Sequence, residues 1–308
     1  LLSLTQTNGL ATFSGDVFAQ TITVGTAAAD AANFDGDVTA ATALNIAAGG
    51  ATFAGDVTAA TAFAFTAAGT MTLDGTGDQT ITGAIDGGAA GQGDITVTNT
   101  GGTVTFVNAV GVNGGNEVND LTFNASTTTV FSSTVDADTI TQNGAVTYNG
   151  LVNLDETLVL GNGSVITVGS AITNGQTVIT ALGNITDTGT TTINMPPTLA
   201  GGTSVTVIDA AGGTTDSTYT VTDTALFDYT VTVSDAADTV VVAVAARSTT
   251  AIAAQLGATN DTAAALSQAN TAIAADPAAL AALTTALNTG GATATKFANQ
   301  VAVQADTL

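Results

Sequence analysis

Carboxylates are by far the most abundant ionisable side chains of this chain. It holds 25 acidic and 2 basic side chains, with no His and no Cys, for a formal net charge of −23 at pH 7. Without His and Cys the chain lacks the commonest general base and the soft metal ligands. What remains is a supply of hard carboxylate oxygens, which are the ligands that Ca²⁺ prefers.

A phrase that ends in Gly-Asp-Val returns at regular spacing near the start of the chain. It reads Ala-Thr-Phe-Ser-Gly-Asp-Val over 11–17, and close variants occupy 32–38 and 51–57. If each phrase takes the same place in one coil of a stacked structure, its Asp residues form a ladder of like charges about 4.8 Å apart. A cation between the rungs would relieve that repulsion. With their acidic neighbours, the candidate calcium ligands are Asp16, Asp35, Asp37, Asp56, Asp74 and Asp78.

The same phrase has a second explanation, which is turn chemistry. Gly-Asp favours tight turns, and the carboxylate is then solvated or accepts hydrogen bonds from its own backbone. The chain has neither an EF-hand loop nor the Gly-Gly-x-Gly-x-Asp calcium repeat. Calcium is therefore the one cofactor that the sequence suggests, with solvated or backbone-bonded turn residues as the alternative.

Two pairs of acids could be considered for catalysis. Asp136 and Asp138 are two residues apart, so they share a face of a strand, and Asp155 adjoins Glu156. A serine nucleophile needs a base, and the chain has no His. It also has no Walker-type phosphate loop. The sequence therefore predicts that the protein is not an enzyme.

The charge balance also limits the partners. Residues 1–246 contain no Lys or Arg. Nucleic-acid binding needs such residues on the phosphates, so it is not expected, and direct binding to anionic lipid is disfavoured for the same reason. Copies of so acidic a chain repel one another unless salt or divalent cations screen them. This composition suits a saline or calcium-containing setting outside the cell.

The elements that would position these acids are short strands. The phrase repeats at about 20 residues, which is one coil of a β-solenoid, and Thr alternates with Val and Ile as in strands with one buried face. The predicted fold is all-β: a right-handed parallel β-solenoid (β-helix) of nine or ten coils, with a β-rich C-terminal cap and a short α-helical tail. Because the repeat length drifts after residue 80, two β-sandwich domains are the alternative.

Three regions are predicted. Residues 1–200 form the solenoid, and Pro196-Pro197 marks a break near its end. Residues 201–247 form the cap, read as an antiparallel meander. Residues 248–308 form an Ala-rich helical tail, with one helix starting at Asn260 or Asp261, one after the Asp276 N-cap, and one at Thr293 or Thr295. Leu280, Leu283 and Leu287 make an apolar stripe on the second of these.

This order of parts resembles the passenger region of Gram-negative autotransporters. The segment from Phe227 to Val242 is similar to the strand, turn and closing strand of their cap, with Phe227 where that pattern has Tyr. Residues 262–307 resemble the helical run that leads to a membrane β-barrel, which this sequence lacks. By composition the stalk also resembles the large rickettsial surface-layer autotransporters. Leu1 in place of an initiator Met suggests that a signal peptide has been removed.

These features predict a non-enzymatic exported structural protein on the outer cell surface of a Gram-negative bacterium. The low-complexity Thr/Ala/Gly surface, the extreme acidity and the absence of catalytic groups predict lateral self-association into a surface layer or filament, with the homo-oligomer or lattice as the main partner. The resemblance implies contact with the outer membrane through the missing barrel or lipopolysaccharide. An adhesin that binds host or neighbouring cells is the alternative function.

Overall fold

The computed structural model describes residues 1–4, 9–25, 27, 30–112, 115–213, 218–235, 238–289 and 291–305. Residues 236–237, in the predicted cap turn, and 306–308, at the end of the predicted helical run, lie outside the described residues. Short strands fill the chain up to residue 246 and helices follow.

The strands are β1 (Leu2–Leu4), β2 (Leu10–Phe13), β3 (Val17–Val24), β4 (Ala31–Phe34), β5 (Val38–Ile46), β6 (Gly50–Phe53), β7 (Val57–Ala59), β8 (Ala62–Phe65), β9 (Thr70–Leu73), β10 (Gln79–Thr82), β11 (Ile85–Asp86), β12 (Asp94–Val97), β13 (Thr103–Phe106), β14 (Val118–Phe123), β15 (Thr128–Phe131), β16 (Val135–Gln142), β17 (Ala145–Tyr148), β18 (Val152–Leu154), β19 (Leu158–Leu160), β20 (Val165–Val168), β21 (Thr177–Ala181), β22 (Ile185–Asp187), β23 (Thr190–Asn194), β24 (Thr203–Ala210), β25 (Thr218–Val221), β26 (Phe227–Ser234) and β27 (Thr239–Ala246). The helices are α1 (Thr249–Leu256), α2 (Asn260–Ile273), α3 (Pro277–Asn288) and α4 (Gly291–Ala305).

The strands stack in parallel into three walls, which confirms the predicted β-solenoid and excludes the pair of β-sandwiches. The first wall contains β2, β4, β6, β9, β12, β14, the second half of β16, β19 and β22. The second wall contains the first halves of β3 and β5, then β7, β10, β13, β15, β17, β20, β23 and β25. The third wall contains β1, the second halves of β3 and β5, β8, β11, the first half of β16, β18, β21 and β24. The right-handed sense of the coil stays a prediction.

The coils are longer than predicted in the middle of the chain. Register pairs in the first wall join Met71 to Ile95 and Ile95 to Leu121, which are steps of 24 and 26 residues. The solenoid therefore makes about 8 turns, where nine or ten were predicted from a uniform repeat. The extra residues lie at the corners between walls, so they lengthen a coil without changing the strand spacing of about 4.8 Å.

The core is a stack of inward side chains from all three walls. At the N-terminal end, the rings of Phe13, Phe34 and Phe53 lie one above the other in the first wall, with centroids 5.1 Å apart at each step. A second stack occupies the second wall, where Phe131 lies 4.8 Å from Phe106 and 5.8 Å from Tyr148. Aromatic residues at one coil position thus become continuous columns of apolar contact.

The predicted cap differs from the structure in one respect. Parallel pairing continues through β24 and β25, which pair with β21 and β23. The antiparallel part is the hairpin of β26 and β27, with β27 lying against β24. The sequence-based meander was wrong for β25, because alternating Thr and Val residues indicate a strand without indicating the direction of its partner.

Arg247 connects the hairpin to the segment before it. Its guanidinium forms ion pairs with Asp228 and, at 3.5 Å, with Asp223, and Nη1 donates to the Thr224 carbonyl oxygen at 3.1 Å. The side chain is 16% exposed, which is low for Arg. This one cation therefore joins two acids and a backbone carbonyl where the solenoid meets α1.

The start of α3 confirms the helix that was predicted after the Asp276 N-cap. Asp276 caps α3 through hydrogen bonds from the Ala278 and Ala279 N–H groups, and Pro277 occupies the first turn. The predicted stripe of three leucines on α3 is buried. Helix α1 was not predicted as a separate element. None of the described helices combines the length and the apolar character needed to cross a membrane.

Candidate functional site

The Asp ladder of the repeated phrase links successive coils through hydrogen bonds. Asp16 Oδ1 accepts a hydrogen bond from the Asp37 N–H at 3.0 Å, and Asp37 Oδ1 accepts one from the Asp56 N–H at 2.9 Å. The pattern continues where Asp56 Oδ1 accepts from Thr80 N–H at 2.7 Å and Asp78 Oδ1 from Thr103 N–H at 2.8 Å. Each carboxylate thus binds a backbone amide of the following coil, a contact between coils that differs from the solvated or locally bonded carboxylate of the turn explanation.

In two of these coils, the Gly before the Asp permits this close stacking. A Cβ on Gly36 would lie 2.7 Å from the Asp16 nitrogen, and a Cβ on Gly55 would lie 2.7 Å from the Gly36 carbonyl carbon. Real side chains essentially never approach backbone so closely. The phrase needs Gly for the contact between coils and Asp for the hydrogen bond that closes it.

Asp35 and Asp74 complete the set of predicted calcium ligands. They follow equivalent strands of the first wall, β4 and β9. Partial burial raises the pKa of the Asp74 carboxyl, and the charge of Asp35 adds to that increase. Among the described residues, however, the six predicted ligands do not form a group of three converging carboxylates. Calcium binding at these positions stays a prediction.

The described residues do bring three other acids together. Oxygens of Glu117, Asp138 and Asp155 all lie within 4.8 Å of one another. We call these three residues the acidic corner. Glu117 is 6% exposed, and its Oε2 accepts a hydrogen bond from the Gly115 N–H at 2.7 Å. The acidic corner therefore holds the nearly buried carboxylate of Glu117 beside the half-buried Asp138 and the exposed Asp155.

Three successive coils supply the acidic corner. Each acid lies where the chain turns from the third wall to the first: Glu117 just before β14, Asp138 at the bend inside β16, and Asp155 between β18 and β19. Proximity in the sequence pairs Asp138 with Asp136, and Asp155 with Glu156, but gives no reason to associate Glu117 with either pair. The pattern that would reveal Glu117 is an acid after each strand of the third wall. That pattern can be recognised only when the boundaries of the coils are known.

The acidic corner is electrostatically strained. Partial burial raises the pKa of Asp138 and of Asp155, and in both cases the charge of Glu117 raises it further. The pKa of Asp120 is raised by partial burial and by the charges of Asp94 and Glu156. Asp136 is also nearby, and its Oδ1 accepts a hydrogen bond from Asn153 Nδ2 at 2.7 Å.

Two chemical roles suit this arrangement. Three carboxylates supply hard oxygen ligands for a divalent cation, although Ca²⁺ takes 6–8 ligands and the rest would come from water or backbone. Alternatively, the acids can share protons among themselves. Both roles relieve the same repulsion.

We expect the stability of the fold to fall as pH rises from about 4 to 7. A carboxyl with a raised pKa in the folded state binds its proton more tightly there than in the unfolded chain. Its contribution is therefore present below the ordinary pKa and is lost as pH rises through the folded-state pKa. Asp138→Asn should flatten this dependence and raise the melting temperature at pH 7, measured by circular dichroism at constant ionic strength.

The matched control is Asp261→Asn, which removes one exposed acid from the first turn of α2. It should leave the slope of melting temperature against pH close to that of the wild type. Equal slopes for Asp138→Asn and Asp261→Asn would show that the effect comes from total charge and not from the acidic corner.

The second wall differs from the other two in charge. Its described strands contain no charged residue, from the first half of β3 to β25. The first wall carries Asp94, Asp120 and Asp187, and the third carries Asp86, Asp136 and Asp209. A chain with a net charge of −23 therefore has one wall whose strands are uncharged, with the exposed Asp ladder (Asp16, Asp37, Asp56 and Asp78) at the border of its N-terminal strands.

Comparisons of the chain with protein-family models, with curated proteins and with solved structures give no match. The family is therefore suggested only by the resemblance of its parts to autotransporter passengers.

Proposed function

We propose that this protein is a non-enzymatic structural component of the outer surface of a Gram-negative bacterium, which self-associates laterally into a layer or filament. The uncharged second wall is the observation that supports this function. The resemblance to autotransporter passengers supports the location at the cell surface.

The second wall is suited to contact between copies. In its central strands, Thr80 is in register with Thr105, and Thr147 with Thr167, so that pairs of threonines recur along its outer face, with Val130 between the two pairs. Toward its C-terminal end, Thr192 and Thr220 are hydrogen-bonded at 3.3 Å. These threonines form a flat polar surface on which a second copy can lie without burying a charge.

Electrostatics favours this wall over the rest of the surface. Charges on two approaching copies repel over a Debye length of about 8 Å at physiological salt. Contact through the first wall would bring Asp94 and Asp120 close to the acids of a second copy, and contact through the third wall would do the same for Asp86 and Asp209. Contact through the second wall keeps the acidic corner on the far side of each copy, where solvent and ions screen it.

Two matched double variants test the role of the second wall. Thr147→Asp with Thr167→Asp places two carboxylates on adjacent coils of that wall, and Thr96→Asp with Thr122→Asp does the same on the first wall. All four threonines are half-buried and lie on neighbouring coils. We expect the first pair to weaken self-association at least tenfold and the second pair to change it much less. Sedimentation and electron microscopy, with and without millimolar calcium, provide the measurement.

Wild-type protein that stays as isolated rods at high concentration, with and without calcium, would contradict the proposed function. That outcome would favour the adhesin, in which the same rod presents a binding face to another cell. Equal weakening by both double variants would show that total charge, and not the second wall, controls association.

A further inference from the structure

The terminal hairpin leaves a strand edge open. Among the described strands, β26 pairs with β27 on one side and with no strand on the other. An unpaired edge presents N–H and C=O groups that can pair with another chain. The hairpin that covers one end of the solenoid thus creates a new edge of its own.

The hydrogen bonds around β26 show which residues point toward the open side. The Arg247 N–H donates to the Leu226 carbonyl oxygen across the hairpin, whereas the Tyr229 N–H donates to Asp223 Oδ1 outside the sheet. Backbone groups alternate in direction along a strand. The odd-numbered residues Tyr229, Val231 and Val233 therefore direct their backbone N–H and C=O groups outward.

The open edge is blocked along only half of its length. The Phe227 N–H donates to Thr224 Oγ1, the Phe227 carbonyl oxygen accepts from the Thr224 N–H, and Asp223 occupies the Tyr229 N–H. Within the described part of the chain, the outward groups of Val231 and Val233 have no such partner. The unblocked outward groups are therefore those of Val231 and Val233, and we call the segment that contains them, from Thr230 to Ser234, the open edge.

The open edge lacks the features that usually protect an edge strand. It reads Thr-Val-Thr-Val-Ser, with no charge and no Pro, and its pairing with β27 runs without a bulge. Thr230 and Thr232 are exposed, and Val233 is 36% exposed. Natural edge strands commonly carry Lys, Pro or a bulge to prevent pairing.

We propose that the open edge pairs with the open edge of a second copy, in an antiparallel arrangement about a two-fold axis at Thr232. This inference rests on the proposed function, since it names one contact through which copies associate. Val231 then lies opposite Val233 of the partner, and the reverse pair is equivalent. Each such pair exchanges two hydrogen bonds, so that the contact contains about four.

Two properties of the open edge favour a second copy over another partner. First, its outward groups are spaced two residues apart around Thr232, so the segment is complementary to itself in the antiparallel direction. Second, it has no charge in a chain of net charge −23, so that two copies can meet here without placing carboxylates opposite each other. Antiparallel pairing also continues the direction already present between β26 and β27.

A charge-exchange experiment tests this pairing. In the proposed contact Thr232 faces its own copy, with Cα atoms about 4.5 Å apart. Thr232→Glu and Thr232→Lys should each weaken dimerisation at least tenfold, because like charges lie directly opposite. An equimolar mixture of the two variants should restore or exceed wild-type association, measured by sedimentation equilibrium. Thr186→Glu and Thr186→Lys, at an exposed mid-strand threonine of the first wall, are the matched controls and should leave association unchanged.

The outcomes separate this inference from the proposed function. If wild-type protein associates but neither Thr232 variant weakens it, the open edge is not the contact, while self-assembly through another surface stands. If both variants weaken association and the mixture does not restore it, β26 does not face its own copy. If wild-type protein is monomeric at millimolar concentration, both the inference and the proposed function fail. Far-UV circular dichroism of each variant shows that the fold is retained.

Discussion

Replacing Phe34 by Ala is expected to destabilise the N-terminal coils by about 3–5 kcal/mol. The ring is 1% exposed and lies between Phe13 and Phe53, nearly parallel to both at interplanar angles of 8° and 6°. Its removal leaves a cavity in the middle of an aromatic stack, and the coil backbones above and below are fixed by their hydrogen bonds. The site therefore has little freedom to collapse.

The effect of Phe34→Ala should be local, because each coil of a solenoid contacts mainly its neighbours. Hydrogen exchange followed by mass spectrometry should show faster exchange in β2, β4 and β6, and unchanged exchange beyond β17. The matched control is Phe18→Ala, since Phe18 is in the same coil as Phe13 but is 77% exposed. Comparable loss of protection in both variants would contradict the importance of the stack.

Replacing Arg247 by Met should be the largest electrostatic perturbation that a single substitution can produce here. Loss of the guanidinium leaves Asp223 and Asp228 facing each other and leaves the Thr224 carbonyl oxygen without its side-chain donor. Breaking a buried ion pair costs about 3–5 kcal/mol, but both carboxylates are nearly half exposed, so we expect about 2 kcal/mol.

The measurement for Arg247→Met is urea-induced unfolding followed by tyrosine fluorescence and by hydrogen exchange of residues 222–247. Tyr229 is nearly buried, and its N–H is bonded to Asp223 at this junction, so its fluorescence reports the opening. Lys296→Met removes the same charge from an exposed position on α4 and is the matched control. If the two variants shift the unfolding midpoint equally, the loss of positive charge alone explains the effect.

The place of the repeated phrase in the coil could be predicted from the sequence. The phrase contains both the Gly needed for the contact between coils and the Asp that forms the hydrogen bond between them. Ala11, Ala32, Ala51 and Met71 are in register in the structure, as the spacing indicated. The later echoes of the phrase mixed two walls: Phe123 belongs to the first wall, whereas Phe106 and Tyr148 belong to the second. An inward aromatic residue in a short strand fits any of the three walls equally well. The sequence pattern alone therefore does not show to which wall such a strand belongs.

The acidic corner was harder to predict than the Asp ladder for a related reason. The ladder repeats within coils of 19–21 residues, whereas Glu117 follows a coil lengthened by its corner segment. Side chains far apart in sequence meet there only after the coils are aligned. The open edge of β26 was equally inaccessible, because Thr-Val-Thr-Val-Ser fits an inner strand as well as an edge strand.

The position of Arg247 has a consequence for proteolysis. Arg247 and Lys296 are the only basic residues of the sequence, so trypsin has two sites at most within it, and one of them is held in the cap by two carboxylates. Residues 1–247 offer no other point of attack. Cleavage after Arg247 would thus report directly on opening of the junction between solenoid and helices, while the entire solenoid would be released as one undigested fragment.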